Sequence, residues 1–261
     1  KIGHLCSNHR HRQRTNGSKL ILYVNGDSHT AAAEAVNPHA FAEDDGLYYA
    51  LGRRPHPDNE RVSWGCELAN HLGAILVCDA ESASSNARII RTTRDWIRNN
   101  SDSLAQTFMV IQWSTWEREE WLHNGIWYQV NASGWDIVPP ELRARYKQYV
   151  IDIDWKKATV QAHDQIWALH QELNNLGIPH LFFNGHSTFS ELHQHLDWGT
   201  AYIWPYSIDH SYNSVCKNNG FEYVNPKSYH FGADAHRFWA NYVLQYINDN
   251  NLIVTNEIST D

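Results

Sequence analysis

The segment Gly26-Asp27-Ser28-His29 follows an apolar run near the start of the chain, and Ser28 has the position expected of a nucleophile. The run, residues 20–25, predicts a buried strand. A serine at the carboxyl end of such a strand faces the crevice where open α/β sheets bind ligands, and its hydroxyl can attack a carbonyl carbon. The alanines at 31–33 predict a helix whose N-terminus would let the Ser28 N–H stabilise an oxyanion. The same motif is compatible with Asp27 and Ser28 acting only as helix caps.

Two histidines near the C-terminus are candidate general bases, His230 and His236. An imidazole suits this role because it exchanges protons near neutral pH. Asp234 precedes His236 by two residues, so Asp234 and His236 form an alternative acid–base pair. We prefer His230, because His236 falls where the last helix is expected to begin. In that frame Asp234 is the helix N-cap or a first-turn acid.

Taken together, these two segments resemble the first and last blocks of the SGNH (GDSL) hydrolase family. The first block matches residues 26–29, directly after the first strand. The last block matches residues 229–240, where His230 aligns with the catalytic histidine and His236 with the later histidine of the final helix. The resemblance implies a three-layer α/β/α flavodoxin-like fold with a parallel central sheet, and it implies that Ser28 and His230 are catalytic.

The middle blocks of the family are degenerate in this chain. The family uses a glycine after the second strand as an oxyanion donor, whereas residues 80–88 contain none, which leaves a backbone N–H near Ser84 for the role. After the third strand, Thr115 takes the position of the family's asparagine. The resemblance therefore implies an oxyanion site formed by Ser28, Ser84 and Thr115.

The triad acid is the main departure from the family pattern. Lys227 stands three residues before His230, where the family has aspartate. A carboxylate there would fix the imidazole tautomer and stabilise the imidazolium. Its substitutes include a backbone carbonyl, Ser228, and an acid from another loop such as Asp209 or Glu222.

The function implied is ester hydrolysis by acyl transfer to water, with O-acetylated carbohydrate as the first substrate class and small acyl esters or thioesters next. The alternative is a catalytically weak or inactive protein of the same fold that binds glycans or serves a structural role. The sequence does not decide between them.

Alternating apolar runs and amphipathic stretches predict the elements that position these residues. After the first strand, strands are expected at residues 74–78, 107–112 and 180–184. Helices are expected at 64–72, 87–99, 154–176 and 235–248, the first of them capped by Ser63 and stopped by Gly73.

The domain organisation expected is a polar, partly disordered tail at 1–18 followed by one SGNH-like domain at 19–261. An insertion rich in tryptophan spans about 113–140 and would overhang the edge that carries Ser28. Because the chain has 12 Trp and 13 Tyr, this insertion is a candidate acyl or sugar pocket.

Composition and charge disfavour several other classes of function. A net charge of −8 disfavours nucleic acid as a partner, and no apolar run is long enough to span a membrane. We expect a soluble protein; no signal peptide is visible in residues 1–19, and the compartment is not indicated. His193 with His195, and His9 with His11, lack the context of a metal motif, so we expect neither a metal nor another cofactor. The four cysteines contain no CxxC pair.

Overall fold

The computed structural model describes residues 19–38, 55–135, 138–193 and 195–253. The predicted tail at 1–18, including His9 and His11, lies outside these residues. The strands are β1 (Ile21–Asn25), β2 (Ile75–Cys78), β3 (Thr107–Trp113), β4 (Glu119–His123), β5 (Ile126–Val130), β6 (His180–Asn184), β7 (Tyr223–Asn225) and β8 (His230–Phe231). The helices are α1 (Pro57–Glu60), α2 (Trp64–Leu72), α3 (Asn86–Asn99), α4 (Arg143–Asp152), α5 (Trp155–Asn175), α6 (Tyr212–Asn218) and α7 (Ala233–Asp249), with short 3₁₀ turns at Ser101–Gln106, Pro140–Leu142 and Ile208–His210.

The central sheet is parallel, with strand order β2-β1-β3-β6. A parallel bridge between Phe182 and Tyr202 extends the pairing beyond β6. Helices cover both faces, which confirms the predicted three-layer α/β/α architecture of the flavodoxin-like type. All four central strands were predicted to within one residue at each end.

The two faces of the sheet bury different side chains because successive strand residues point to opposite sides. Leu22 and Val24 of β1 pack with α2 and α7, whereas Tyr23 packs with α3 and α5. Helix α2 begins and ends as predicted. The Ser63 hydroxyl accepts from the Cys66 N–H, and Gly73 adopts the left-handed conformation at φ 60°.

The helix expected directly after Ser28 is absent from the described residues 28–38, which form successive turns. Ala32 and Glu34 have φ values of 51° and 63°, and a left-handed residue interrupts an α-helix. The Ala33 N–H instead donates to the Ser28 carbonyl at 2.9 Å. The helix N-terminus predicted at the Ser28 N–H is therefore absent from these residues.

The tryptophan-rich insertion contains structure that the sequence pattern did not predict. Its centre is the antiparallel hairpin of β4 and β5, and its small core joins Trp121 and Val130 to Tyr146 of α4. The hairpin reaches the carboxyl edge of the central sheet, because Gln129 Oε1 accepts from the Ser85 N–H at 3.0 Å.

Candidate active site

The candidate nucleophile lies at the carboxyl edge of β1, in a turn that begins with Gly26. A side chain at Gly26 would collide with Thr30, so this close turn requires glycine. Ser28 is 8% exposed. Its backbone N–H has no acceptor within the described part of the chain and is therefore open to an oxyanion. Among the same residues, its hydroxyl makes no hydrogen bond, to His230 included.

Asp27 holds this turn in place through the hydrogen bonds of its side chain. Its buried carboxylate accepts hydrogen bonds from Gln112 Nε2 at 2.8 Å, Ser114 Oγ at 2.8 Å and an Arg118 guanidinium nitrogen at 3.1 Å, and from the His29 N–H at 3.0 Å. Burial would raise the pKa of Asp27. The electrostatic interactions with His29 and Arg118 and the hydrogen bonds outweigh burial and lower that pKa far below its usual range. Asp27 is thus a fixed anion that holds the turn, and it is not a proton donor.

His230 has a carboxylate partner that the sequence did not reveal. Its Nδ1 lies 2.6 Å from Glu34 Oε2, and both side chains are largely buried. Asn225 also donates to Glu34 at 3.1 Å. Burial would raise the pKa of Glu34, but hydrogen bonds from Ser228, His230 and Asn225 lower it below its usual value. Glu34 is therefore ionised at neutral pH and fixes the proton of His230 on Nδ1.

The tautomer leaves His230 Nε2 as a base. Within the described residues this nitrogen makes no hydrogen bond. The ring of His29, the residue after Ser28, lies edge-on to His230 with 5.3 Å between ring centroids. The structure thus places the turn that carries Ser28 against the ring of His230. Catalytic hydrogen bonds are commonly loose without substrate, so the missing Ser28–His230 bond does not exclude the pair.

The other acids proposed for His230 are placed elsewhere. Glu222 pairs with Lys217 at 2.7 Å, Asp209 is exposed, and Ser228 lies beside Glu34 while its hydroxyl donates to the Asn225 carbonyl at 3.3 Å. Lys227 is also exposed. The carboxylate that contacts His230 is thus Glu34, which lies in the turn after Ser28 and is neither Asp209 nor Glu222.

Asp234 and His236 do not form the alternative acid–base pair. Asp234 is exposed and pairs with Arg237 at 3.2 Å, whereas buried His236 accepts at Nδ1 from the Trp64 N–H at 3.3 Å. Burial and the nearby His230 lower the pKa of His236 to about 3. His236 is thus a neutral core residue at the start of α7.

Two expected oxyanion donors already have partners. The Ser84 N–H donates to the Glu81 carbonyl at 3.0 Å, and the Thr115 hydroxyl donates to Glu117 at 3.1 Å. The Ser84 hydroxyl is buried without a hydrogen bond among the described residues. Of the three predicted donors, the Ser28 N–H is the one left open.

A second imidazole pair borders the site. His186 follows β6 and its Nε2 lies 2.5 Å from His29 Nε2. Burial, then the neighbouring imidazole, lowers the pKa of His29 well below its usual value, and burial also lowers the pKa of His186. His186 was not predicted as a site residue, although its place two residues after a central strand is the same signal that identified Ser28.

No protein-family model matches this chain, and no curated protein matches it at a significant level.

Among the described residues, no group of three or more His, Cys, Asp or Glu side chains is arranged to hold a metal ion. His195 stacks on Tyr206, with 3.9 Å between ring centroids. No helix in the described ranges is both long enough and apolar enough to cross a membrane.

Proposed function

We propose that this protein is a serine ester hydrolase of the SGNH type, with Ser28 as nucleophile, His230 as general base and Glu34 as the acid that orients His230. The observation that carries the proposal is the 2.6 Å contact between Glu34 and His230 beside the Ser28 turn. It supports a triad in which the acid comes from an unexpected segment. O-acetylated carbohydrate is the first substrate class, followed by small acyl esters and thioesters.

The mechanism is acyl transfer. His230 Nε2 takes the proton of the Ser28 hydroxyl as its oxygen attacks the ester carbonyl, and Glu34 stabilises the resulting imidazolium. The Ser28 N–H donates to the oxyanion. The imidazolium then protonates the leaving alcohol. Water attacks the acyl-enzyme with His230 again as base, which releases the acid and restores Ser28.

A fluorophosphonate probe tests this proposal directly. The Ser28 oxygen would attack phosphorus, the P–F bond would break, fluoride would leave and the proton would pass to His230. We expect intact-mass spectrometry to show one adduct on the wild type, with the peptide of Ser28 carrying it, and p-nitrophenyl acetate to be hydrolysed. The Ser28→Ala variant should lose both. Labelling or turnover that persists in Ser28→Ala would contradict the assignment.

One observation favours the second candidate function, a glycan-binding protein without turnover. Two of the three expected oxyanion donors are occupied by internal partners, and removing a single such donor typically lowers kcat by about 10²–10³. This alternative predicts no adduct and no turnover dependent on Ser28, together with measurable binding of oligosaccharide.

A further inference from the structure

A cavity of about 570 Å³ lies between the insertion and the helices α3, α4 and α5. Its volume falls within the range of roughly 300–1,000 Å³ that is typical of small-molecule sites. Arg118 lines this cavity and also donates to Asp27. Since Asp27 precedes the candidate nucleophile, one residue links the cavity wall to the catalytic turn.

Polar and apolar groups contribute almost equally to the cavity wall. Its charged side chains are five acids and three bases, with Glu117, Glu119 and Glu120 among the acids. The charged groups between the apolar ones disfavour a long acyl chain, which requires continuous apolar contacts, and the excess of carboxylates would repel an anionic ligand. A neutral ligand with many hydroxyl groups fits it best.

One face of α5 presents hydrogen-bonding groups to this cavity. Lys157, Gln161 and Gln165 are spaced four residues apart, which places them on the same side of the helix, and all three line the cavity. Within the described residues, the two glutamine amides make no hydrogen bond. Each amide offers both donors and an acceptor, so each can bind a sugar hydroxyl.

The tryptophans of the cavity offer little ring surface to a ligand, because Trp116 is 7% and Trp121 2% exposed. Trp116 stacks on Phe189 with 4.6 Å between centroids, and the Arg145 guanidinium lies 3.9 Å from the ring centroid of Trp121. Composition predicted that these tryptophan rings would stack on a sugar. In this cavity, hydrogen bonding by polar side chains replaces such stacking.

The part of the wall nearest the catalytic turn has unmet hydrogen-bonding capacity. Glu117 Oε2 and Arg118 Nε are buried without a partner among the described residues. One is an acceptor and the other is a donor, and a hydroxyl group combines both functions.

We infer that this cavity is the subsite for a neutral oligosaccharide, held chiefly by Gln161 and Gln165 and guided toward Ser28 by the wall that contains Arg118. The link to ester cleavage rests on the proposed function, since the bound glycan would then carry the ester that Ser28 attacks. Binding itself does not depend on catalysis.

The test uses the full-length Ser28→Ala protein, which cannot form an acyl-enzyme. Isothermal titration with xylohexaose, cellohexaose and chitohexaose should detect binding of at least one of them. Adding Gln161→Ala and Gln165→Ala together should weaken that binding at least tenfold. The matched control is Gln171→Ala, an exposed glutamine on the same helix but outside this cavity, and it should leave the affinity unchanged. Oligogalacturonate, an anionic probe, should bind more weakly than the neutral oligosaccharide.

Three results would overturn the inference: no binding of any neutral hexasaccharide, equal binding by the double glutamine variant, or tighter binding of oligogalacturonate. Circular dichroism verifies that the double variant is folded. If it is not, the single variants Gln161→Ala and Gln165→Ala are measured in its place. Failure of the esterase proposal is distinguishable, because it appears as absent labelling of Ser28 in the wild type while the binding results stand.

Discussion

Glu34 and His230 are 196 residues apart in sequence and 2.6 Å apart in the structure. Two left-handed residues, Ala32 and Glu34, produce this contact by replacing the expected helix with turns. In a regular helix, Glu34 would lie about 9 Å along the axis from Ser28. Left-handed conformations are costly for side chains larger than glycine and are often kept at functional sites.

The first prediction concerns this contact. In Glu34→Gln the amide no longer carries the charge that stabilises the His230 imidazolium, so kcat on p-nitrophenyl acetate should fall by roughly 10²- to 10⁴-fold, in line with the loss of about 10⁴ for an equivalent change in a serine protease. The control Glu222→Gln, whose side chain lies on the surface with Lys217, should retain full activity. Equal activities of the two variants would remove Glu34 from the mechanism.

The second prediction concerns Asp27, whose hydrogen bonds hold the turn that carries Ser28. Asp27→Asn should lower the free energy of unfolding by about 3 kcal/mol because it leaves the mostly buried Arg118 without its counter-ion. For a chain of this size the melting temperature should fall by roughly 6–12 °C.

Two variants check the cause of this loss. Asp234→Asn, at an exposed ion pair, should melt like the wild type. Combining Asp27→Asn with Arg118→Met should restore part of the lost stability, since the orphaned charge is removed. A double variant less stable than Asp27→Asn alone would show that Arg118 is not the source of the loss.

Residues with a local signal were predictable from sequence. The apolar run that includes Leu22, Tyr23 and Val24 indicated a buried strand, and the Ser63 and Gly73 caps marked both ends of α2. Ser28 could be placed at the carboxyl edge of the sheet for the same reason, since its position follows from where β1 ends.

Pairings between distant segments carry no such signal. The alanines before Glu34 favour a helix by propensity, and tertiary contacts with His230 and Asn225 override that preference. The hairpin of β4 and β5 was missed because each strand has only five residues and burial does not alternate regularly along it. Trp121 is the buried residue of β4, and the buried residues of β5, Gln129 and Val130, are adjacent. Its tryptophans were assigned to ligand contact, whereas Trp121 is buried in the core of the insertion.

The third prediction concerns His29 and His186. At an Nε2–Nε2 distance of 2.5 Å, one nitrogen must carry a proton and the other must be bare, so the two rings cannot both be charged. Burial lowers the pKa of each ring and favours the neutral form of both. ¹⁵N spectra of labelled histidine should show both rings unprotonated at about pH 5.5, where an ordinary imidazole is mostly charged. The variant His186→Ala removes one cause of the low pKa of His29, so that pKa should rise. A His29 that titrates like an ordinary imidazole in the wild type would refute the pairing.

The fourth prediction concerns the stability of the fold in mild acid. His170 and His180 form a buried chain: His180 Nδ1 donates to the Ile178 carbonyl, and His170 Nδ1 donates to His180 Nε2 at 2.9 Å. A second proton on the His180 ring would make its Nε2 a donor, facing the His170 Nδ1–H, which is also a donor. Burial, opposed by the Ile178 hydrogen bond and reinforced by His170, lowers the pKa of His180 to about 4.

The direction of the pH effect follows from this pKa. The unfolded chain binds the His180 proton near pH 6.5, whereas the folded chain binds it only near pH 4, so stability is complete above about 6.5 and declines as the pH falls toward 4. The loss from His180 should be on the order of 3 kcal/mol. Urea unfolding at successive pH values should show this slope. His180→Asn should reduce it by the His180 share whatever the stability of the variant, and should leave the contributions of His29, His186 and His236, whose pKa values are also lowered. Asp27 and Glu34, whose pKa values are lowered, lose their contribution as the pH falls below about 4, the usual range of a carboxyl group. A slope between pH 6.5 and 4 that is identical in wild type and His180→Asn would contradict the assigned proton chain.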